Sequence, residues 1–269
     1  MPRLAVLGHP VAHSRSPAMQ NAALAALGLG EGWSYEAIDV APEDFAARVR
    51  AMPAEGFAGA NVTVPHKAAA LALADAASEG ARQIGAANTL VFADGQIQAH
   101  NTDAGGLIAA LPSSPRGTRA LVLGAGGAAR AAIWALRTEG AAVDIWNRTS
   151  ARAEAVHLEL SGIEVEVQGA AVTAIDQSAY ELIVNTTAVG LHGEDPFAHL
   201  PLRRDGFGKQ VLVDMVYGDG PSTLSMAAAA AGATVVDGLE ILVQQGALSL
   251  QIWTGQEAPL DVMRAAARA

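Results

Sequence analysis

The sequence predicts an α/β protein built from two domains. Segments typical of buried strands alternate with segments typical of helices along all 269 residues. A stretch rich in proline and serine, residues 112–117, interrupts this alternation, which then restarts. A glycine-rich loop follows the first strand after the interruption. Such alternation is typical of parallel sheets covered by helices on both faces.

The elements before the interruption follow one another at short spacing. In order, we predict a strand at 3–7, a helix at 16–27, a strand at 33–40, a helix from Pro42, a strand at 59–64, a helix from His66 and a hairpin over 88–101. Ser16 is expected to cap the first helix, with Pro17 in its first turn. The hairpin is indicated by Asp94-Gly95, a pair favoured in two-residue turns.

The elements after the interruption have the order of a dinucleotide-binding unit. We predict a strand at 119–123, a helix at 128–138, a strand at 142–146, a helix at 151–160 and strands at 163–167, 182–185, 211–215 and 234–236. Helices at 239–254 and 259–268 close the chain and could return to the first domain. The hypothesis is therefore a discontinuous first domain around a continuous second one.

Composition excludes several classes of function. A formal net charge of −10 argues against a nucleic-acid-binding surface, which needs clustered lysine and arginine. The absence of cysteine excludes disulfides, thiolate nucleophiles and thiolate metal sites. No apolar run approaches the ~20 residues of a membrane span, and Met1 leads directly into a strand without a signal-peptide pattern. We therefore expect a cytoplasmic protein that binds neither nucleic acid nor membrane. Composition does not fix the oligomeric state, and either a monomer or a homodimer is expected.

The glycine-rich loop predicts a dinucleotide site. It reads G-x-G-x-x-A, with Gly124 and Gly126 followed by Ala129, between a strand and a helix. The first glycine permits the tight turn, the second lets backbone N–H groups approach a pyrophosphate, and the small third residue allows close packing. The expected contacts come from five consecutive residues: Gly124, Ala125, Gly126, Gly127 and Ala128.

The residues after the next strand favour NADP(H) over NAD(H). An NAD site usually has an acidic residue there, which bonds the ribose 2′-hydroxyl. This chain instead has Asn147, Arg148 and Thr149, with Arg152 one turn later. Guanidinium groups pair well with the oxygens of a 2′-phosphate. The alternative is that the two arginines are ordinary surface charges, one of them paired with Asp144.

Polar residues at strand ends of the first domain are the candidates for the reaction site. They are Ser14, Ser16, Thr63, Lys67, Asn88 and the run from Asn101 to Asp103. No H-E-x-x-H spacing suggests a metal, and no G-x-S-x-G motif suggests a serine hydrolase. Taken singly these residues are weak signals, since Ser16 and Asp103 could each simply cap a helix. Pro65 ends a strand and places Lys67 at the start of the next helix, facing the predicted crevice.

Together these motifs resemble shikimate dehydrogenase over nearly the whole chain. In chain order they are His9-Pro-Val-Ala-His-Ser-Arg-Ser-Pro17, Asn61-Val-Thr-Val-Pro-His-Lys67, Gly85-Ala-Ala-Asn-Thr89, Asn101-Thr-Asp103, Gly124-Ala-Gly-Gly127, Asn147-Arg-Thr149, Asp214-Met-Val-Tyr217, Asp237-Gly-Leu239 and Gln245-Gly246. The resemblance implies reversible reduction of 3-dehydroshikimate by NADPH, a step of chorismate and aromatic amino-acid biosynthesis.

The resemblance also implies roles for individual residues. Lys67 and Asp103 resemble the acid/base pair, and Lys67 also resembles a substrate-binding residue. Ser14, Ser16 and Tyr217 resemble the residues that hold the substrate carboxylate. Partners of the ring hydroxyls are implied at Thr63, Asn88, Asp103 and Gln245. Met215 and Gly238 resemble residues beside the nicotinamide. His66 is expected to be a spacer, and Glu79 a surface charge of a helix.

The resemblance further implies a domain division, with the active site in the cleft. A substrate-binding and catalytic domain would comprise residues 1–103 and 239–269, and a Rossmann-type NADP domain residues 104–238. Three alternatives stay open: a quinate/shikimate dehydrogenase with relaxed cofactor use, another NADP reductase, and a non-catalytic NADP-binding regulatory module. A glutamyl-tRNA reductase would need a cysteine nucleophile, which this chain lacks.

Overall fold

The chain folds into two compact units, each with its own sheet. The computed structural model describes residues 1–160, 166–168, 174–218 and 220–269. One unit consists of Met1–Gly106 and Leu242–Ala269, and the other of Leu107–Ile241. No helix among the described residues is long and apolar enough to cross a membrane.

The first unit is built around a six-stranded sheet. Its elements in chain order are β1 (Arg3–Gly8), α1 (Ser16–Ala26), β2 (Ser34–Asp39), α2 (Phe45–Ala51), β3 (Phe57–Val62), α3 (Lys67–Leu73), β4 (Ala76–Ala77), α4 (Glu79–Ile84), β5 (Thr89–Ala93), β6 (Gln96–His100) and α5 (Asp103–Ala110). The strand order is β2-β1-β3-β5-β6-β4. The predicted strands and the hairpin are confirmed, and Asp94 and Gly95 both adopt positive φ in its turn.

The prediction of a parallel sheet is wrong for part of this unit. β1 pairs in parallel with β2 and β3, whereas β5 runs antiparallel to both β3 and β6. A two-residue turn can join only antiparallel neighbours, because a parallel connection needs a long crossover. Since β6 follows such a turn, the hairpin gives the sheet its mixed character.

Both faces of this sheet are covered. Leu4 and Val6 of β1 belong to a core cluster on one face, and the alternate residue Leu7 belongs to a cluster on the other. All three are at most 4% exposed, so β1 is buried on both sides. This explains why its sequence is a continuous apolar run rather than an alternating one.

The second unit is a fully parallel six-stranded sheet. Its elements are β7 (Arg119–Leu123), α6 (Gly127–Thr138), β8 (Ala142–Trp146), α7 (Ser150–Glu159), β9 (Glu166–Gln168), β10 (Leu182–Asn185), β11 (Val211–Asp214), α8 (Thr223–Ala230), β12 (Thr234–Asp237) and the start of α9 (Gly238–Thr254). The rest of α9, from Leu242, and the last helix α10 (Leu260–Arg268) belong to the first unit. The strand order β9-β8-β7-β10-β11-β12 is the Rossmann order, with the switch point between β7 and β10.

Three local predictions need correction or qualification. Ser16 is the first residue of α1 and not its cap, since the N-cap is Arg15 and makes no side-chain capping bond. The second helix begins at Phe45 rather than Pro42. For the strand predicted at 163–167, residues 163–165 lie outside the described part of the chain, and β9 begins at Glu166.

Candidate active site

The ends of β1 and β3 fix the position of Lys67. Leu7 and Val62 are paired in register, and the Thr63 N–H donates to the Leu7 carbonyl at 2.8 Å. The chain then turns through Pro65, and Lys67 is the first residue of α3. The loop brings the lysine to the carboxyl end of the strands, which is where α/β sheets place their ligands.

Lys67 forms an ion pair with Asp103. Its Nζ lies 2.6 Å from Oδ2 of the aspartate, and each side chain is 15% exposed. Asp103 is the first residue of α5, and the capping oxygen of that helix is Oδ1 of Asn101, which accepts the Ala104 N–H at 3.3 Å. The interpretation of Asp103 as a simple helix cap is therefore wrong, because its carboxylate faces the lysine instead.

Asn88 connects this pair to the protein interior. Its Oδ1 accepts the Thr102 backbone N–H at 2.7 Å, so the amide NH₂ points the other way, toward Asp103. There Nδ2 donates to Oδ1 of Asp103 at 2.8 Å and to Oε1 of Gln245 at 3.3 Å. Both carboxylate oxygens of Asp103 thus have a donor, one from Lys67 and one from Asn88.

Gln245 reaches this group from α9. It is 8% exposed, and its Nε2 donates to the Leu242 carbonyl at 2.8 Å. A Cβ placed on Gly106 would lie 2.7 Å from the Gln245 nitrogen, so a larger residue there would push α9 away from α5. Thr63, four residues before Lys67 in sequence, is half-buried, and the described residues provide its hydroxyl with no hydrogen-bond partner.

Hydrogen bonds hold the loop that carries Ser14 and Ser16. Oγ of Ser14 accepts the Ser16 N–H at 3.3 Å, and Ser16 is 4% exposed. Upstream, Nδ1 of His9 lies 2.6 Å from Asp39, which also accepts the Val11 N–H at 3.2 Å. The hydrogen bond from His9 is the main reason that the pKa of Asp39 lies below its ordinary value. These contacts anchor the start of the serine loop to the end of β2.

His66 is a core residue and not the expected spacer. Its ring is 2% exposed and stacks on Phe45 at a centroid distance of 4.4 Å. Its Nε2 lies 2.8 Å from the Val40 carbonyl. Glu79 is exposed in the first turn of α4 and pairs with Arg82, as predicted for a surface helix charge.

In the second unit the glycine-rich loop lies between β7 and α6, as predicted. Gly124 has φ +117°, and a Cβ on it would lie 2.4 Å from Oγ1 of Thr186, so only glycine fits. Gly126 is exposed, and a Cβ there would meet no atom within 4 Å. Gly126 also provides no side-chain cap to α6. The start of this helix therefore has open space at Gly126 and no side-chain cap on its backbone N–H groups, which fits a pyrophosphate. Ala125, Gly127 and Ala128 are partly buried around this loop, and Ala129 is fully buried in the core.

The loop after β8 and the first turn of α7 carry one unneutralised arginine each, Arg148 and Arg152. Arg148 and Arg152 are exposed and have no ion pair within the described residues. Asp144, the acid that could have paired with them, is 3% exposed and instead binds Arg119 at 2.8 Å and the Tyr180 hydroxyl at 2.6 Å. Asn147 donates to the Thr149 carbonyl at 2.9 Å, which shapes the turn. This arrangement fits a 2′-phosphate.

Met215 and Tyr217 follow β11, and Gly238 follows the neighbouring β12. A Cβ on Gly238 would lie 2.6 Å from the Met215 carbonyl oxygen, so the two backbones are in close contact. Asp214 is fully buried at the end of β11 and accepts Nδ2 of Asn185 at 2.9 Å. Its other oxygen is bound by Ser222 and Ser225 of the α8 start.

Four buried polar residues linked to Thr102 were not predicted as site residues. They are Tyr35, Asn61, Thr89 and Ser249, which are joined to one another and to Thr102 by hydrogen bonds. The sequence signal for Asn61 was a polar residue at the end of an apolar strand, in the Asn61-Val-Thr motif. Within the described part of the chain, no group of three or more histidine, aspartate or glutamate side chains could hold a metal.

Comparison with known proteins gives one consistent family. Residues 6–90 match a model of the shikimate dehydrogenase substrate binding domain, and residues 238–268 match a model of the shikimate 5'-dehydrogenase C-terminal domain. The shikimate dehydrogenase (NADP(+)) of Anaeromyxobacter sp. (strain Fw109-5) is 47% identical over 97% of this chain and 94% of its own.

Solved structures agree with these matches. Shikimate 5-dehydrogenase of Thermus thermophilus, in complex with NADP(H) and shikimate, is 41% identical, covers 100% of this chain and 99% of its own, and has a TM-score of 0.87. A 5-ketofructose reductase of Gluconobacter sp. strain CHM43 is 32% identical over 99% of this chain and 97% of its own, with a TM-score of 0.88. The same fold therefore also occurs in a reductase with a different named substrate.

Proposed function

The chain belongs to the shikimate dehydrogenase family, and from this membership we propose that it reduces 3-dehydroshikimate reversibly to shikimate with NADPH. The activity places the enzyme in chorismate and aromatic amino-acid biosynthesis. The observation that carries the proposal is the ion pair of Lys67 and Asp103, with the carboxamides of Asn88 and Gln245 beside it. A purely regulatory NADP-binding module would have no use for this pair.

NADPH, when bound, supplies the hydride that adds to the carbonyl carbon of the substrate. The carbonyl oxygen then gains an electron pair, and the Lys67 ammonium stabilises it and donates a proton, which completes the alcohol. Of the three ammonium donors, one is directed to Asp103 and two remain for the substrate. In the reverse direction the neutral amine accepts the hydroxyl proton. Asp103 orients the lysine throughout, while Asn88 holds the second carboxylate oxygen.

Substrate recognition is proposed to use the remaining polar groups of the first unit. Thr63, Asn88, Asp103 and Gln245 would bind ring hydroxyls, and Ser14 and Ser16 would bind the carboxylate together with Tyr217. The support is chemical: these side chains provide hydroxyl, carboxamide and carboxylate groups that match a polyhydroxylated acid. A site built this way rejects analogues that lack a hydroxyl, because its own groups would stay unpaired.

NADP(H) is proposed to bind the second unit. The pyrophosphate would lie against Gly124–Ala128, where Gly126 leaves open space, and the 2′-phosphate against Asn147, Arg148, Thr149 and Arg152. Met215 and Gly238 would flank the nicotinamide. We correspondingly propose a substrate-binding and catalytic domain of residues 1–103 and 239–269, and an NADP domain of residues 104–238.

The first test is the absorbance of NADPH after mixing the protein with shikimate and NADP⁺. Reduction of NADP⁺ in this mixture alone is the expected result. Three parallel mixtures contain quinate with NADP⁺, shikimate with NAD⁺, and 5-ketofructose with NADPH. Comparable rates with quinate or NAD⁺ would indicate the broader quinate/shikimate class. No reduction by a protein that binds NADPH would favour a regulatory module instead.

We further propose a cytoplasmic enzyme that is a monomer or a homodimer. The support for the location is its use of NADPH and of a soluble biosynthetic intermediate. Light scattering during size-exclusion chromatography gives the mass of the particle, to be compared with 27.4 kDa for one chain. Cell fractionation with a cytoplasmic marker tests the location.

A further inference from the structure

Four buried polar side chains lie behind the proposed substrate-binding residues, and the mechanism above uses none of them. Asn61 of β3 is 6% exposed, Thr102 between β6 and α5 is 3% exposed, and Thr89 of β5 and Ser249 of α9 are fully buried. We call these four residues the inner cluster. Burial of four polar side chains is costly unless each has partners, so their arrangement requires a physical reason.

Ser249 is the point at which α9 joins the inner cluster. Its Oγ lies 2.9 Å from Nδ2 of Asn61, 2.9 Å from Oγ1 of Thr89 and 3.1 Å from Oγ1 of Thr102. Its hydroxyl proton is directed to the carbonyl of Gln245, one turn earlier on the same helix, at 3.0 Å. Ser249 thus accepts a hydrogen bond from Asn61 of β3 and donates one to the backbone of Gln245.

The direction of these bonds is fixed from the far side by Tyr35. Its hydroxyl donates to Oδ1 of Asn61 at 2.7 Å, so the Asn61 amide must turn its NH₂ group toward Ser249. The same NH₂ group reaches Oγ1 of Thr89 at 3.1 Å and the Asn88 carbonyl at 3.1 Å. A chain of hydrogen bonds with defined donors therefore runs from Tyr35 through Asn61 and Ser249 to Gln245.

The inner cluster also contacts Asn88 directly. Oγ1 of Thr102 lies 3.0 Å from Nδ2 of Asn88, and Oγ1 of Thr89 lies 3.2 Å from its Oδ1. Thr102 and Thr89 therefore hold the Asn88 carboxamide, and Ser249 holds the backbone of Gln245, whose carboxamide meets that of Asn88 at 3.3 Å. Gly106 permits this close approach of α9, and Ser249 fixes where along the sheet the helix sits.

We propose that Ser249 is a positioning residue that determines substrate specificity, by holding the Gln245 and Asn88 carboxamides in register for the substrate hydroxyls. The proposal rests on the proposed function. Ser249 touches no substrate in this scheme and acts through Gln245. Its loss would leave α9 in place by its apolar packing but free to shift, and a misplacement of about 1 Å can cost about 10²-fold in rate.

The test compares Ser249→Ala with Thr254→Ala. Thr254 is a matched control, since its Oγ1 also bonds the carbonyl four residues earlier, that of Leu250, at 2.8 Å on the same helix. We would measure kcat and KM at saturating NADP⁺ for shikimate and for the two analogues that each lack one non-reacting ring hydroxyl. Circular dichroism and thermal unfolding establish that each variant is folded.

For Ser249→Ala we expect kcat/KM for shikimate to fall by about 10- to 100-fold, mainly through KM. For at least one analogue the fall should be under about threefold, because the misplaced carboxamides had no hydroxyl to bind there. The preference for shikimate over that analogue then drops by about tenfold. KM for NADP⁺ and all parameters of Thr254→Ala should stay within about twofold of wild type.

A second variant keeps the test decisive if Ser249→Ala does not fold. Thr89→Val preserves shape and strand preference while removing a hydroxyl that contacts both Ser249 and Asn88. It should lower the preference in the same direction. Equal losses of kcat/KM for shikimate and both analogues, or kinetics like those of Thr254→Ala, would overturn this inference but not the proposed function. Wild-type protein without shikimate oxidation would overturn the proposed function and this inference with it.

Discussion

At the scale of single residues, the proposed chemistry depends on how few partners Lys67 has. Within the described residues its Nζ makes one side-chain contact, to Asp103, although an ammonium group has three donors. In shikimate oxidation, replacement by alanine removes the acceptor of the reacting hydroxyl's proton but none of the groups proposed to bind the other ring hydroxyls. We therefore expect Lys67→Ala to lower kcat by about 10²–10⁴-fold with little change in KM for shikimate.

Lys209→Ala is the matched control, because Lys209 is exposed on the second unit and has no role in the proposed mechanism. Steady-state kinetics of both variants, with shikimate and NADP⁺, check this prediction. A near-normal kcat for Lys67→Ala would exclude the lysine as the acid/base group.

Arg148 provides the corresponding test of the cofactor. Its guanidinium is exposed and has no acidic partner among the described residues, which leaves it available to a phosphate. Arg148→Ala should raise KM for NADPH by about 10- to 100-fold and KM for NADH by less than about threefold, because only NADPH has the 2′-phosphate. Arg203, which is exposed and paired with Asp205, gives the control variant Arg203→Ala. Equal weakening of the two cofactors would contradict 2′-phosphate recognition.

At the scale of elements, His100 gives β6 a pH-dependent contribution to stability. Burial holds the pKa of His100 below its ordinary value of 6.5, because the charged form is desolvated. The unfolded chain then binds more protons between the two values, so stability is lost as pH falls through 6.5. Urea unfolding at about pH 7.5 and about pH 5.5, on either side of that value, should show a smaller acid loss in His100→Gln than in wild type. The exposed His199→Gln should behave like wild type, and an unchanged acid loss in His100→Gln would refute the prediction.

Asp214 joins the end of β11 to the start of α8. Its carboxylate accepts hydrogen bonds from Asn185, Ser222 and Ser225, and Ser222 in turn caps the helix by accepting the Ser225 N–H at 3.0 Å. Asp214→Ala leaves buried donors without an acceptor, so we expect the free energy of unfolding to fall by about 2–4 kcal/mol. Denaturant unfolding measures this loss. Asp205→Ala removes an exposed carboxylate and should leave the free energy of unfolding close to that of wild type; a similar loss in both variants would count against the role of Asp214.

The elements that could be predicted are those whose signals are local. Strands β7, β8 and β10 coincide with apolar runs, and the hairpin follows from Asp94-Gly95 alone. The missed elements lack such signals: α8 is a run rich in alanine, and the break between α3 and α4 depends on β4 pairing with β6. The direction of β5 in the sheet is set by its neighbours in space, which periodicity does not encode.

At the scale of the whole molecule, the parts of the site also differ in whether their signals are local in sequence or depend on the fold. The glycine loop and Lys67 could be placed because a strand end, a turn and a helix start are adjacent in sequence. The inner cluster could not, because Ser249 and Asn61 are 188 positions apart in the chain and meet only in the folded protein. The roles of the site residues and the domain boundaries stay predictions until they are measured.

The assignment of substrate and cofactor to different units can be tested on the intact chain by hydrogen exchange. A ligand that binds the native state protects most strongly the amides nearest its site, since it suppresses their local opening. Shikimate alone should therefore give its largest protection within residues 1–106 and 242–269, and NADP⁺ alone within residues 107–241. NAD⁺ at the same concentration is the control and should protect the peptide of Arg148 less than NADP⁺ does. If NADP⁺ protected the peptides of Ser14 and Lys67 more than those of Gly124–Ala128, the proposed division of labour between the two units would be wrong.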